Sequence, residues 1–493
     1  MKGWNKLDRT PWRKLKCLQE KKLQDFLQNQ LYPFSPYYHE LFDKNKIDPK
    51  KIKTVSDLHN IPFTSKLDLL PTDADPAKTL KFLLHPDENL IKKYWPLTKL
   101  VSLGVKKILN NAKIVESLEL EYNPIFVTST TGRSAIPTSF LYTMYDINNL
   151  YISGHRLIEV FDLKKRTKGI NLFPYAPHLA FWQTVFGGLS YNILVLSTGG
   201  GKVMGTEGNI RLMMKLKPEL VIGVPGYVYH LIRKAVCDNY KLDFIKRIVL
   251  GASYVPQGFK TKLADLLEQA GAKEVKIFGT YGFTEARCAW AECPTDLETF
   301  SGYHTSPDKE IFEIINPKTG EVKKENESGE LVYTSIDARG SCVFRYRTGD
   351  LIEGGISYEP CKYCGRTVPR ISSRIGRVSE IKNLDLSKIK GTVVDLNNLS
   401  EVLAAAIEIT EWQLEIRKKD NDQFDVDELI LCCSIKPDTN TEKFKKEISD
   451  KILTETEVSL NDVVIISLEQ MIEKLELDTA LKEKRIIDKR QAK

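Results

Sequence analysis

Between Ile125 and Phe278, short apolar runs alternate with stretches that carry apolar residues at helical spacing. No other feature limits the fold as strongly. The strand candidates are Ile125–Thr128, Ile170–Pro174, Asn192–Leu196, Leu220–Val224, Arg247–Leu250 and Val275–Phe278. Helix candidates between them include Asn209–Leu216, Tyr227–Val236 and Phe259–Ala270. Regular alternation predicts an α/β fold, a parallel sheet with helices on both faces. Ligands on such sheets bind beyond the carboxyl ends of the strands.

The chain of 493 residues is too long for one core. Residues 1–120 read as a charged, helical lead-in, and from Ile311 the pattern changes to hairpins. We expect a large N-terminal domain over 1–376, with a β-rich part at 300–370, and a small α+β domain over 377–493. Basic residues outnumber acidic ones by 72 to 65, a surplus of +7 spread along the chain, which does not point to nucleic acid. There is no apolar leader and no run long enough for a membrane span, so the expectation is a cytoplasmic protein, monomer or homodimer. Nine cysteines without regular spacing argue against a disulfide framework.

Three motifs follow apolar runs. Thr128-Ser129-Thr130-Thr131-Gly132-Arg133 gathers hydroxyls, a glycine and a cation in one loop, the composition of a phosphate cradle. In Gly279-Thr280-Tyr281-Gly282-Phe283-Thr284-Glu285, a flat Tyr beside Gly suits a purine and Glu285 suits Mg²⁺. Tyr346-Arg347-Thr348-Gly349-Asp350-Leu351 offers a carboxylate at a tight turn, able to take two ribose hydroxyls. Each alone is also what an ordinary polar turn looks like. A fourth stretch, Gly199-Gly200-Gly201-Lys202, lacks the spacing of a phosphate loop and reads as a flexible loop near a pocket. Tyr175, Pro177, His178, Phe181 and Trp182 put aromatic density after a strand, which suits a flat apolar acid such as an aryl or arylacetic acid. Core packing accounts equally well for Phe181 and Trp182, and a hydrogen-bonded structural role for His178.

In this order and at these separations, the three motifs resemble the adenylate-forming superfamily of acyl ligases, and within it most resemble the phenylacetate–coenzyme A ligase family. The resemblance runs from about Asn123 to Lys382 and returns near the C-terminus. It includes Gly251-Ala252-Ser253 at the family's adenine-side loop, and Gly376-Arg377-Val378-Ser379-Glu380 at its hinge.

The resemblance implies an AMP-forming ligase. Such an enzyme activates a small carboxylic acid with MgATP to an acyl-AMP, then passes the acyl group to coenzyme A. A carrier-protein thiol or an amine is the alternative acceptor, and an inactive nucleotide-binding homologue the second alternative. Thr128, Ser129, Thr130, Thr131 and Gly132 would hold the β- and γ-phosphates, and Tyr281 and Gly282 the adenine. Thr284 would meet the α-phosphate, Glu285 the Mg²⁺, and Asp350 with Arg377 the ribose. Lys482 aligns with the family's mobile catalytic lysine, with Lys484 second. Cys361 and Cys364 form a CxxC followed by glycine. With Cys293 and His304, where similar proteins carry a Cys and a His, they would hold a structural Zn²⁺, Cys288 competing with Cys293. Ser129, Ser379 and Leu481 depart from the family's usual Gly, Asp and Gly.

Overall fold

The computed structural model describes residues 3–101, 118, 120–130, 138–297, 299–377, 396–419, 427–456, 458–479 and 483–490, and the backbone of 381–384 and 392–395. The lead-in is helical, with α1 (Trp12–Phe26) and α2 (Pro36–Lys44). The α1 helix buries Leu15, Leu23 and Phe26, one stripe at helical spacing. Tyr38 on α2 accepts a hydrogen bond from the Phe344 N–H at 2.6 Å, which pins the lead-in to the β-rich region.

After the lead-in, β1 (Pro124–Ser129) and β2 (Ser139–Thr143) form an antiparallel pair of their own. The expectation that 125–128 belongs to the parallel sheet is therefore corrected. Ile125 and Val127 face outward, 54% and 48% exposed, so this apolar run is a ribbon wet on one side. In sequence, an exposed Ile-Phe-Val run cannot be told from a buried strand.

The main sheet has nine strands. Its parallel half runs β4 (Leu194–Ser197), β3 (Lys168–Asn171), β5 (Leu220–Gly223), β6 (Arg247–Leu250) and β7 (Lys276–Phe283). Its antiparallel half continues through β8 (Cys288–Ala291), β9 (Tyr303–His304), β14 (Arg370–Ile371) and β13 (Ile356–Ser357). Central β5 is buried along its length, as an apolar strand covered on both faces must be. The covering helices are α3 (Met144–Val160), α4 (Leu179–Tyr191), α5 (Gly201–Leu216), α6 (Pro225–Cys237) and α7 (Gln257–Gln269). Pro225 opens α6 at a position where its missing N–H costs nothing. Helices α3 and α4 cross at Gly154 and Gly187, where a Cβ on Gly154 would lie 2.5 Å from the Gly187 Cα.

A second sheet, β10 (Glu310–Ile315), β11 (Gly329–Ser335), β12 (Tyr346–Ile352) and β15 (Ile375–Arg377), is antiparallel throughout. A short ribbon follows, β16 (Ile381–Leu384) with β17 (Thr392–Asp395). The C-terminal sheet has the order β20 (Asp462–Ile465), β19 (Asp427–Ile435), β18 (Ile409–Lys418), β21 (Ile486–Asp488). Helices α8 (Leu396–Ala405) and α9 (Thr441–Thr456) pack on it around Leu403, Leu414 and Phe444, and α10 (Leu468–Leu475) packs nearby. This core is separate from those of the main sheet. No helix among the described residues is long and apolar enough to cross a membrane.

Candidate active site

The Tyr281 motif does not sit in a loop. Strand β7 runs on to Phe283, and its last residues switch from the parallel neighbour β6 to the antiparallel neighbour β8. Asp350 likewise stands on a strand, not in the expected tight turn, directly opposite Arg377. The left-handed Gly349 (φ 71°) and a register shift between β11 and β12 produce the turn-like composition there.

These strands bring three sequence-predicted residues together. The Tyr281 hydroxyl donates to Asp350 Oδ2 at 2.7 Å, and Arg377 Nε lies 3.2 Å from Asp350 Oδ1. Asp350 is buried, so these partners fix the plane of its carboxylate. Burial pushes the Tyr281 phenol well above its ordinary pKa, and the adjacent carboxylate adds to the shift. Tyr281 therefore stays a neutral donor.

Glu285 follows on the single turn after β7. Its Oε1 accepts a hydrogen bond from the Tyr346 hydroxyl at 2.9 Å. Burial raises its pKa, opposed by its own backbone N–H, by Tyr346 and by the nearby Lys66 ammonium. A carboxylate held this way suits a cation. Sequence reasoning missed Tyr346 and Lys66. Tyr346 opens the Asp350 motif, and its alternation with Asp350 on one strand was the available signal.

The described part of the hydroxyl-rich segment ends β1, in the hairpin with β2. Thr128 is buried, with its hydroxyl 3.1 Å from that of Tyr142. The Ser129 N–H donates to the Pro177 carbonyl at 2.7 Å, and His178 Nδ1 lies 3.0 Å from the Ser129 carbonyl. The hairpin end is thus stapled to the entry of α4. A carbonyl acceptor at Nδ1 puts the proton there and leaves Nε2 an acceptor. That Nε2 is buried without a partner among the described residues. The Thr130 hydroxyl accepts from the Thr138 N–H at 3.1 Å. Thr131, Gly132, Ser379, Leu481 and Lys482 lie outside the described residues. Tyr175 is exposed and meets Phe181 edge-on at 5.2 Å, while Phe181 itself is buried.

The adenine-side candidate Gly251-Ala252-Ser253 leaves the carboxyl end of β6. Ala252 holds φ 72°, a left-handed conformation that L residues rarely take, and the Ser253 hydroxyl is buried without a partner among the described residues. A buried ion pair sits behind this loop and the Tyr281 strand: Glu292 takes Lys260 Nζ at 3.0 Å, the Gly279 N–H at 2.6 Å and the Ser373 hydroxyl at 2.6 Å.

Cys293, His304, Cys361 and Cys364 gather with all their donor atoms within 4.8 Å of one another. Cys293 Sγ is 3.7 Å from Cys361 Sγ, and Cys364 Sγ is 3.3 Å from His304 Nε2. Zn–S bonds of about 2.3 Å at tetrahedral angles put sulfurs roughly 3.8 Å apart, so the set fits a closed zinc site. His304 Nδ1 faces the Ala291 carbonyl at 3.2 Å, which aims Nε2 into the cluster. Cys288 stays outside it, on β8. The lead-in clamps the knuckle: the Arg9 guanidinium donates to the Cys364 carbonyl at 2.5 Å, and Asp8 pairs with Arg366 at 3.1 Å.

A half-parallel sheet thus carries a Tyr–Glu strand end where its pairing turns antiparallel, and an Asp–Arg pair of the second sheet meets it there. No family model matches the chain. It is 25% identical over 453 residues to phenylacetate-coenzyme A ligase of Thermus thermophilus, covering 91% of this chain and 86% of that one. Among solved structures, 2-hydroxyisobutyryl-CoA ligase in its postadenylation state, in complex with R3-HIB-AMP, aligns with a TM-score of 0.77 at 17% identity, over 99% of this chain and 92% of that one. The same ligase in its thioesterification state, with 2-HIB-AMP and CoA, aligns over the same shares at 0.60 and 18% identity. The resemblance seen in the motifs is borne out: the chain has the fold of adenylate-forming enzymes and is a relative of the phenylacetate–coenzyme A ligases.

Proposed function

We propose that this protein is an AMP-forming acid–thiol ligase. A small carboxylic acid, best an aryl or arylacetic acid, attacks the α-phosphate of ATP through a carboxylate oxygen, and pyrophosphate leaves. The thiol of coenzyme A then attacks the acyl carbonyl, and AMP leaves. The observation that carries this reading is the convergence of Tyr281 and Arg377 on the Asp350 carboxylate, with Glu285 and Tyr346 nearby.

No protein nucleophile is needed, because the acid itself attacks. The chain's work is to align two anions and offset their charge. Thr128, Ser129, Thr130, Thr131 and Gly132 hold the β- and γ-phosphates. Tyr281 and Gly282, with Gly251, Ala252 and Ser253, hold the adenine. Asp350 and Arg377 hold the ribose, and Thr284 meets the α-phosphate. Glu285 holds Mg²⁺, which offsets polyphosphate charge when bound. Lys482 meets the charge that grows at the α-phosphate, and Tyr175 and His178 face the acid. Cys293, His304, Cys361 and Cys364 hold a structural Zn²⁺ that staples β8 and β9 to the segment before β14.

The test is a panel of acids scored by pyrophosphate release, with and without coenzyme A. Acid-dependent release together with coenzyme A-dependent AMP formation is expected. No acid-dependent release from any aryl or arylacetic acid overturns the proposal.

A further inference from the structure

The glycine run at 199–201, too irregular for a phosphate loop, has another use in this structure. It opens α5 at the carboxyl end of β4, and the C-terminal segment 476–478 lies on it. A Cβ on Gly201 would stand 2.6 Å from the Asp478 carbonyl oxygen and 2.7 Å from the Tyr227 ring. Only a residue without a side chain lets that backbone come so close.

The Asp478 carboxylate is held from below. Thr206 donates its hydroxyl to Oδ1 at 2.5 Å, and His230 Nε2 lies 3.3 Å from the same atom. Arg233 donates to His230 Nδ1 at 3.3 Å, so the histidine proton belongs on Nε2, facing Asp478. The chain of contacts continues from Arg233 to Glu411 at 3.0 Å, from Glu411 to Arg485 at 2.8 Å, and from Arg485 to Glu483 at 2.8 Å. The Glu483 carboxylate packs on Gly226, at the first turn of α6. One polar network therefore crosses repeatedly between the main-sheet helices and the C-terminal unit, and it anchors both flanks of residues 479–482.

His230, Arg233 and Glu411 are each at least nine-tenths buried. Buried charges give little net affinity once their dehydration is counted, but they fix geometry. A weakly bound but directional contact fixes one orientation of the C-terminal unit.

We infer that Gly201, Thr206 and His230 form a dock for Asp478, and that this dock holds the C-terminal unit in the arrangement acid activation requires. Asp478 and Thr206 are positioning residues. They stand outside the Tyr281–Asp350–Glu285 cluster and act by placing the segment that follows Asp478. The inference rests on the function proposed above. The chain aligns with 2-hydroxyisobutyryl-CoA ligase at 0.77 in its postadenylation complex with R3-HIB-AMP and at 0.60 in its thioesterification complex with 2-HIB-AMP and CoA.

The experiment separates the two half-reactions in the full chain. Phenylacetate-dependent exchange of pyrophosphate into ATP reads the first, and phenylacetyl thioester formation from supplied phenylacetyl-AMP and coenzyme A reads the second. Gly201→Ala and Asp478→Ala should each lower the first at least tenfold and leave the second within about twofold. Hydrogen exchange adds a readout that needs no catalysis: amides of 206–210 and 476–479 should lose protection together in Gly201→Ala. Equal loss of both half-reactions, an unchanged first half-reaction, or unchanged amide protection overturns the dock. A wild-type chain silent with every aryl and arylacetic acid of the panel, with amide protection lost as expected in the variant, overturns the proposed chemistry and leaves the dock standing.

Discussion

Asp350 and Arg377 face each other across neighbouring antiparallel strands, with Arg377 Nε 3.2 Å from Asp350 Oδ1, while Tyr281 holds the other carboxylate oxygen at 2.7 Å. The three come from strands of two different sheets, so the pairing also fixes how those sheets meet. Asp350→Ala removes the only acid in this trio and leaves Arg377 without that partner. The expected result is a loss of ATP affinity of at least tenfold in an equilibrium titration. Tyr281→Phe removes one charge-assisted hydrogen bond, worth about 1.5–3 kcal/mol, and should weaken binding less than Asp350→Ala does. Unchanged ATP affinity in Asp350→Ala removes the ribose assignment.

Much of this was legible in the sequence, and the gaps have physical causes. Helices at 225–237 and 257–269 and strands at 220–223 and 247–250 follow from apolar periodicity, because burial enforces it. The gathering of Cys293, His304, Cys361 and Cys364 was legible too, and Cys293 rather than Cys288 joins the cluster because only Cys293 reaches the knuckle. The tight turn expected at Asp350 is a strand because a left-handed glycine can sit inside a bulged strand as well as in a turn. The dock for Asp478 was not legible, because it joins residues 272 positions apart through short polar side chains that carry no periodic signal.

The zinc cluster yields a stability prediction. Three thiols and one imidazole lie between the lead-in, β8, β9 and the 361–366 knuckle. Metal bound there ties together segments far apart in sequence, and its binding energy adds to folding energy. The purified protein should contain about one zinc per chain by elemental analysis. Cys361→Ser should lose the metal and lower the melting temperature by several degrees, while ATP affinity measured well below that temperature stays within a fewfold. Full metal content in Cys361→Ser contradicts the assignment.

Glu310 provides a pH test away from the active site. It is buried, and its carboxyl is pushed up to about 8, first by that burial and against hydrogen bonds from the Ser306 N–H and the Trp290 indole. A raised pKa means the folded state holds a proton that the unfolded chain has released. Its contribution to stability is thus complete below the unfolded value of about 4.3 and is lost as pH rises toward 8, by at most about 1.4 kcal/mol per pH unit. Glu310→Gln, which mimics the protonated acid, should flatten this slope. Urea unfolding at pH 5 and pH 8 checks it: the wild type should lose more stability between them than the variant. Equal losses mean Glu310 is ionised in the folded protein.

The two C-terminal lysines separate cleanly by experiment. Lys484 is described and exposed, and its carbonyl accepts from Gln413 Nε2 at 2.7 Å, next to the start of β21. That backbone role survives a change of side chain. Lys482 is proposed as the catalytic lysine, and its charge would then act only where negative charge grows at the α-phosphate. A group that acts mainly in the transition state lowers turnover when removed and leaves ground-state binding nearly intact. Lys482→Ala should therefore cut acid-dependent pyrophosphate exchange by about 10²–10³, the range seen when one transition-state donor is deleted. ATP affinity should stay within about threefold. Lys484→Ala should keep most of its exchange activity. The reverse pattern moves the role to Lys484, and a loss of ATP affinity in Lys482→Ala matching the loss of rate makes that lysine a ground-state binding residue instead.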